Sequence, residues 1–321
     1  MNKPLISILI CCHNRAHLLS QTMESVFAQT YEPVEIVVLD DGSTNGTPEL
    51  MASYGEKVRY YWQENQGISA TRTAACNLAK GEYIAFQDDD DLMVPDRIEL
   101  LYEALCSFPS AVFALGDRAI IDGDGNPTGE RIRSPVYADA QEPHLFEDGY
   151  KAVLMAEVDP VPHTTVFRKV DGDRIGWFDS RFIHGCEDTD FFLRLGQLGP
   201  IVYIPRVVSY YRKGHNSLAT KRILMNYSRF LYFEKHLQSI AAKHVPLKKL
   251  LRFRLLGCMK NIAFYENNGV QRPASIPDDY LGRGLALLDL KGRLLYKCAT
   301  LIKFPIRRFI SRLRANNTHT T

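Results

Sequence analysis

The first 90 residues alternate short apolar runs with amphipathic stretches, and that rhythm limits the chain more than any other feature. "LISILICC" (residues 5–12) is short and apolar but for Ser7, and it reads as a strand buried on both faces. "RAHLLSQTMESVFAQT" follows, with Leu18, Leu19, Met23, Val26 and Phe27 near helical spacing. "VEIVVLDDGS" predicts a second buried strand. A helix from about Thr47 to Tyr54, the strand "VRYYW", the helix "ISATRTAACNLAKG" and the strand "EYIAF" continue the pattern. Strands separated by helices pair in parallel through right-handed crossovers, which gives an α/β sheet covered by helices on both faces. The opening "MNKPLISILICCHNR" puts a basic residue before an apolar run, as a short signal peptide does. Its apolar stretch is brief and no small-residue cleavage site follows, so a first buried strand is the expectation. No uninterrupted apolar run approaches the roughly 20 residues that cross a bilayer.

Ligands of such sheets sit outside the carboxyl ends of the strands. Two acidic clusters fall there: Asp40 with Asp41, and the run Asp88 to Asp91 in "AFQDDDDLMVPDR". Carboxylates this close repel one another unless a positive charge lies among them, so the run is either a cation site or a solvated loop. Its place behind a buried strand favours the cation. Asp88, Asp90 and Asp91 offer hard oxygens suited to Mg²⁺ or Mn²⁺, ions that complete their shell with substrate phosphates. After the helix "RIELLYEALCSF", the segment "AVFALGDRAIIDGDGNPTG" predicts two strands or a hairpin. "DGDGN" is a turn and not a calcium loop, because counting from Asp122 the required glycine position is Pro127 and the required glutamate position is Arg133.

The net charge of +2 hides an asymmetry: residues 245–321 hold 15 Lys and Arg against 4 Asp and Glu, a local balance of +11 that leaves −9 for residues 1–244. Different partners are expected for the two parts. Seven cysteines, an odd number without Cys-x-x-Cys spacing, predict reduced thiols in a cytosolic compartment and exclude a zinc ribbon.

Six segments in order, "SILICCHNR", "VEIVVLDDGSTNGT", "NQGISATRTAACNLAKGEYIAFQDDDD", "IGWFD", "EDTDFFLRL" and "YYRKGHNSL", resemble family 2 glycosyltransferases, the inverting enzymes of the GT-A fold. The resemblance covers roughly residues 4–220. It implies a Rossmann-like mixed central sheet with helices on both faces, a catalytic domain at 1–220 with a nucleotide-sugar half (about 1–95) and an acceptor half (about 96–220), and a helical basic extension at 221–321. It also implies a nucleotide-sugar donor, UDP-linked, a Mn²⁺ or Mg²⁺ ion, and a hydroxyl on a glycan or lipid-linked acceptor of surface polysaccharide synthesis.

Carried over by position, "DDDD" matches the family's Asp-x-Asp element through Asp88 and Asp90, with Asp90 as direct metal ligand and Asp89 on the donor side. Asp41, and less so Asp40, matches the acidic residue that binds a uracil edge; helix capping and turn formation are the structural alternative. His13 takes the position whose ring packs on the base, flanked by Asn14 and Arg15. Cys11 replaces a small polar residue or proline. Asn65 lies on the donor side, and Arg72 matches a position that reaches the diphosphate, the alternative being an exposed helix charge. Asp188 corresponds to the general base, with Glu187 on the acceptor side; both also suit a helix N-terminus for electrostatic reasons alone. His215 lies near a metal-binding histidine position, displaced by one residue, Gly214, and is either ligand or loop. "VDPVPHTTVFR" is placed near the acceptor with no individual roles.

Rival readings are limited. A prenyl-diphosphate enzyme needs Asp-Asp-x-x-Asp, but the fifth position is Leu92 from Asp88 and Met93 from Asp89. Phosphate-loop and dinucleotide fingerprints are missing, and "CCHNRAHL" has no glycine-rich loop. The non-enzymatic alternative is an inactive glycosyltransferase-like binding or scaffold protein. The tail "KGRLLYKCATLIKFPIRRFISRLR" has eight basic residues between Lys291 and Arg314 and no acidic one. It predicts an amphipathic helix for an anionic membrane surface, or a packed C-terminal helix; nucleic acid is not an expected partner. Location is expected in the cytoplasm, peripheral on the inner face of the cell membrane.

Overall fold

A computed structural model describes residues 3–137, 139–213, 222–240, 245–267, 272–273, 275–289, 292–293 and 295–296. The rhythm of the first 107 residues resolves into β1 (Ile6–Cys12), α1 (Ala16–Phe27), β2 (Val34–Asp40), α2 (Thr47–Ser53), β3 (Arg59–Trp62), α3 (Ile68–Leu78), β4 (Tyr83–Asp88), β5 (Leu92–Met93) and α4 (Arg97–Ser107). β6 (Phe113–Ile121) and β7 (Pro127–Ile132) then form the expected hairpin, in which Asp122 accepts hydrogen bonds from the Asp124 and Asn126 backbone N–H groups. β8 (His144–Phe146), α5 (Gly149–Leu154), β9 (Thr165–Arg168), α6 (Lys169–Ile175), α7 (Glu187–Gly196) and β10 (Ile201–Arg212) follow.

The sheet runs β3-β2-β1-β4-β9-β6-β10-β5, with β7 beside β6 and β8 beside β10. β3, β2, β1 and β4 are parallel, as strand–helix alternation dictates. β9 is antiparallel to both β4 and β6, which makes the sheet mixed. Because β2 and β4 lie on opposite sides of β1, the strand order reverses there, and such a point opens a crevice at the carboxyl edge. Register aligns that edge: Cys12 pairs with Asp40, and Cys11 with Asp88.

Alternating side chains build one layer on each face. Ile6, Ile8 and Ile10 of β1 and Ile36 and Val38 of β2 bury against Leu19, Met23 and Val26 of α1 and Ile98 and Leu101 of α4. The layer containing α7 is aromatic. Phe86 of β4 and Phe167 of β9 meet Phe178 at 5.5 Å and Phe191 of α7 at 5.3 Å respectively, and Phe178 stacks on Phe191 at 4.5 Å.

The chain divides into two units, Met1–Ile183 with Glu187–Asn216, and His184–Cys186 with Ser217–Thr321. The second contains α8 (Arg222–Ser239), α9 (Val245–Asn267) and α10 (Tyr280–Leu287), joined by an aromatic contact of 5.8 Å between Phe230 and Tyr280. Among the described residues no helix is long and apolar enough to cross a membrane. His215, and residues 291–314 apart from 292, 293, 295 and 296, lie outside the described residues.

Candidate active site

The acidic run begins where β4 ends, and its charges are neutralised by cations from four other segments. Asp88 accepts from Arg72 Nη2 and from His163 Nδ1, each at 2.8 Å. Burial alone would raise its pKa; the Arg72 charge and the His163 ring override burial and hold it well below the usual carboxylate range. Arg15 Nη1 donates to Asp89 Oδ1 at 2.8 Å and to Asp90 Oδ2 at 2.7 Å. Burial pushes the Asp89 carboxyl up to about 7 in spite of Arg15. Asp91 Oδ1 accepts from the Arg212 backbone N–H at 2.8 Å, while Arg212 Nε donates to the Asp90 carbonyl at 2.8 Å.

His163 was legible only as part of an unassigned segment. It lies on a short turn of 3₁₀ helix (Pro162–Thr164), is buried, and stacks on Tyr211 at 5.7 Å and 7°. Burial would lower its pKa, but Asp91 and Asp88 raise it to about 9, so at neutral pH it is an imidazolium inside the acidic run. Asp91 Oδ2 is buried and lies 3.0 Å from His163 Nδ1, the ring nitrogen it shares with Asp88 Oδ2. Ligand atoms of Asp88, Asp91 and His163 lie within 4.8 Å of one another. Two carboxylates and an imidazole are donors that a divalent ion accepts; His163 must first lose its proton to join them. The described donor set therefore pairs Asp88 with Asp91 and His163, beside the Asp88 and Asp90 expected from sequence.

Arg72 is not an exposed helix charge. It is buried between the Phe86 and Phe178 rings, and its Nη1 donates to Glu187 Oε1 at 2.7 Å while Nη2 holds Asp88. One guanidinium thus links the end of β4 to the first residue of α7. Burial, with Asp188 alongside, raises the Glu187 pKa to about 7 against the pull of Arg72, and Glu187 Oε2 is buried without a hydrogen bond. Asp188 is half-buried; burial raises its pKa too, and its Oδ1 accepts from the Thr189 N–H and hydroxyl at 2.6 and 3.2 Å.

At the end of β2 the two carboxylates differ. Asp40 is fully buried and closes a turn, accepting from the Ser43 N–H and the Tyr60 hydroxyl, each at 2.8 Å. It is spent on the turn and stands apart from the cluster, because register points it into the protein. Asp41 accepts from Gln63 Nε2 at 2.8 Å and from the Gln66 and Gly67 N–H groups at 2.9 Å, which ties down the loop before α3. The turn anticipated through Asp41, Gly42 and Ser43 is closed by Asp40, and Asp41 holds a different loop. His13 is exposed, donates from Nδ1 to the Asp41 carbonyl at 2.8 Å, and has Asn65 Nδ2 3.4 Å away. Asn14, at φ 55°, accepts from the Thr44 N–H through Oδ1. Burial pushes the Cys11 thiol up to about 12, so it stays protonated. His13, Asn14, Asn65 and Asp41 therefore meet at one edge of the crevice, and Asp88–Asp91, Arg72, Glu187 and His163 at its centre.

The sequence model of "Glycosyl transferase family 2" matches residues 7–175. An uncharacterised glycosyltransferase of Rickettsia typhi is 38% identical over 96 residues, 30% of this chain and 30% of that protein. Alignments to the Rickettsia relatives span between 14% and 30% of those proteins' own length. A putative teichuronic acid biosynthesis glycosyltransferase of Bacillus subtilis, TuaG, is 26% identical over 225 residues, 68% of this chain and 83% of the relative. Among solved structures, S. aureus TarS 1–349 in complex with UDP-GlcNAc superposes with a TM-score of 0.65 at 15% identity, covering 92% of this chain and 86% of that one. The mannosyltransferase PcManGT of Pyrobaculum calidifontis, in complex with GDP-Man and Mn²⁺, superposes at 0.58 and 18% identity, covering 94% and 87%.

Proposed function

The chain belongs to glycosyl transferase family 2 and has the GT-A fold, and on that premise we propose that it transfers a sugar from a UDP-linked donor to a hydroxyl of a glycan or lipid-linked glycan, with inversion, in surface polysaccharide synthesis. The observation that carries this reading is Arg72, which binds Asp88 and Glu187 at once and so keeps the strand-end carboxylates within one side chain of the acidic head of α7. Donor and acceptor chemistry need that proximity. The teichuronic acid relative and the UDP-GlcNAc complex of TarS support the acceptor class and the donor.

In this reading Asp188 removes the proton of the acceptor hydroxyl as its oxygen attacks the anomeric carbon opposite the nucleotide. A carboxylate with a raised pKa is the stronger base, and Thr189 fixes it through Oδ1 alone. Asp88, Asp90 and Asp91, with His163 once neutral, would hold Mn²⁺ or Mg²⁺, which offsets charge growing on the leaving diphosphate. The exposed His13 ring offers a face for the base, and Asp41 Oδ2, which accepts one hydrogen bond, keeps a lone pair for the base edge. Membrane association belongs to the same reading. Besides the basic tail, α9 exposes Val245, Lys249 and Phe253 on one face, the mixture an anionic surface takes up.

The test is release of nucleoside diphosphate from a panel of nucleotide sugars, with and without Mn²⁺. UDP-sugar turnover that stops in excess EDTA and in Asp90→Ala is expected, and full activity in EDTA overturns the metal. Asp188→Asn should lower transfer roughly 10²- to 10⁴-fold while calorimetry finds near-native affinity for UDP with Mn²⁺. Native transfer by that variant rejects the base, and nucleotide binding without turnover across the panel favours a binding protein.

A further inference from the structure

Of the cations in the acidic run, three are built in. Arg72 is buried and shared with Glu187, His163 is buried and stacked on Tyr211, and Arg212 is buried with Nη contacts to Gln21 and the Gly123 carbonyl. Arg15 differs. Its side chain is 36% exposed, and its hydrogen bonds among the described residues all go to Asp89 and Asp90 through one nitrogen. That nitrogen sits between two carboxylate oxygens of neighbouring residues, one of them on Asp90, which belongs to the ion-holding set above. The backbone beneath it is anchored separately, since the Arg15 carbonyl accepts from the Leu18 and Leu19 N–H groups at the start of α1. The side chain can therefore leave the carboxylates without disturbing the fold.

We propose that Arg15 and a divalent ion compete for Asp90, the carboxylate common to the Arg15 contacts and to the ion-holding set above, and that on joint binding of ion and donor the guanidinium passes from Asp89 and Asp90 to the donor diphosphate. The inference rests on the transferase reading above and adds a residue that makes ion binding depend on the donor. The Asp90 oxygen that Arg15 holds is weakened as an ion ligand while the guanidinium stays on it. A guanidinium released there lies beside the phosphate oxygens that the ion would ligate, and its planar fork suits them. Arg72 cannot make that move, because burial and two carboxylates hold it.

The coupling is reciprocal: the ion alone should bind weakly to the native protein, and the nucleotide should strengthen it by the factor by which the ion strengthens the nucleotide. The test titrates Mn²⁺ alone into nucleotide-free protein and follows free Mn²⁺ by electron paramagnetic resonance. Arg15→Gln should bind Mn²⁺ on the order of tenfold more tightly than native protein, Arg15→Lys should fall between, and Arg15→Gln should bind UDP more weakly at saturating Mn²⁺. Asp90→Ala should weaken Mn²⁺ binding in every background. If Arg15→Gln and Arg15→Lys both bind Mn²⁺ no more tightly than native while Asp90→Ala still weakens it, the competition is rejected and the transferase reading stands. If Asp90→Ala leaves Mn²⁺ binding unchanged, the ion lies elsewhere, and the competition and the metal assignment both fall.

Discussion

At the end of the sheet remote from the crevice, Glu35 shows how one side chain can tie the amino ends of four strands. On β2, it accepts from the Ser7 hydroxyl of β1, from Arg59 at the start of β3, and from the Lys80 and Gly81 N–H groups that lead into β4. Burial would raise its pKa, but Ser7, Lys80 and Arg59 outweigh burial and hold it below the usual glutamate range. A depressed carboxylate stabilises the fold above its unfolded pKa, and that contribution disappears as pH falls through the folded value. Glu35→Gln should therefore cost about 1–3 kcal/mol at pH 7, read as a lower midpoint in urea, and the difference from native protein should shrink as pH falls below the ordinary glutamate range and through the depressed folded pKa. A difference independent of pH would show that its charge is not involved. Nothing in "PVEIVV" marks Glu35 for this role, because its partners lie 24 to 46 residues away.

Among the elements, the turn after β2 depends most on its glycine. Gly42 has φ +84°, and a Cβ there would lie 2.9 Å from the Asn65 backbone nitrogen. Neither the dihedral nor the contact suits another residue. Gly42→Ala should destabilise by about 1–3 kcal/mol and also weaken UDP binding, since Asp41 and Asn65 belong to the two loops that meet there. Chemical denaturation and calorimetry give the two readings, and unchanged values in both would remove the turn from the site. The turn itself was visible as Asp-Asp-Gly-Ser, and α4 was visible from "RIELLYEALCSF". The antiparallel entry of β9 was not. Four residues, "TVFR", carry no sign of direction, and Phe167 takes its place through ring contacts with Phe86, Phe191 and Trp177.

For the molecule as a whole, the charge asymmetry of −9 in residues 1–244 and +11 in residues 245–321 sets the expected partner of each part. The intact chain should cosediment with liposomes containing acidic lipid, weaken with salt, and lose most of that binding on truncation after Leu290, each well-placed cation contributing about 1 kcal/mol. Equal sedimentation of intact and truncated chains would assign the tail to packing and leave α9 as the membrane-facing candidate.

Local chemistry was enough to settle part of this from sequence. Apolar periodicity specified β1 to β4 and α1 to α4, parallel pairing followed from their alternation, and the acidic runs were bound to the carboxyl edge, because each of these depends on neighbours within a few residues. The cations that neutralise the run depend on the tertiary structure. Arg72 meets Asp88 across 16 residues, His163 across 75, and Arg212 meets Asp91 across 121. Burial removes solvent screening, so each partnership is decided by which side chains the fold brings within hydrogen-bonding distance, and periodicity carries no record of that.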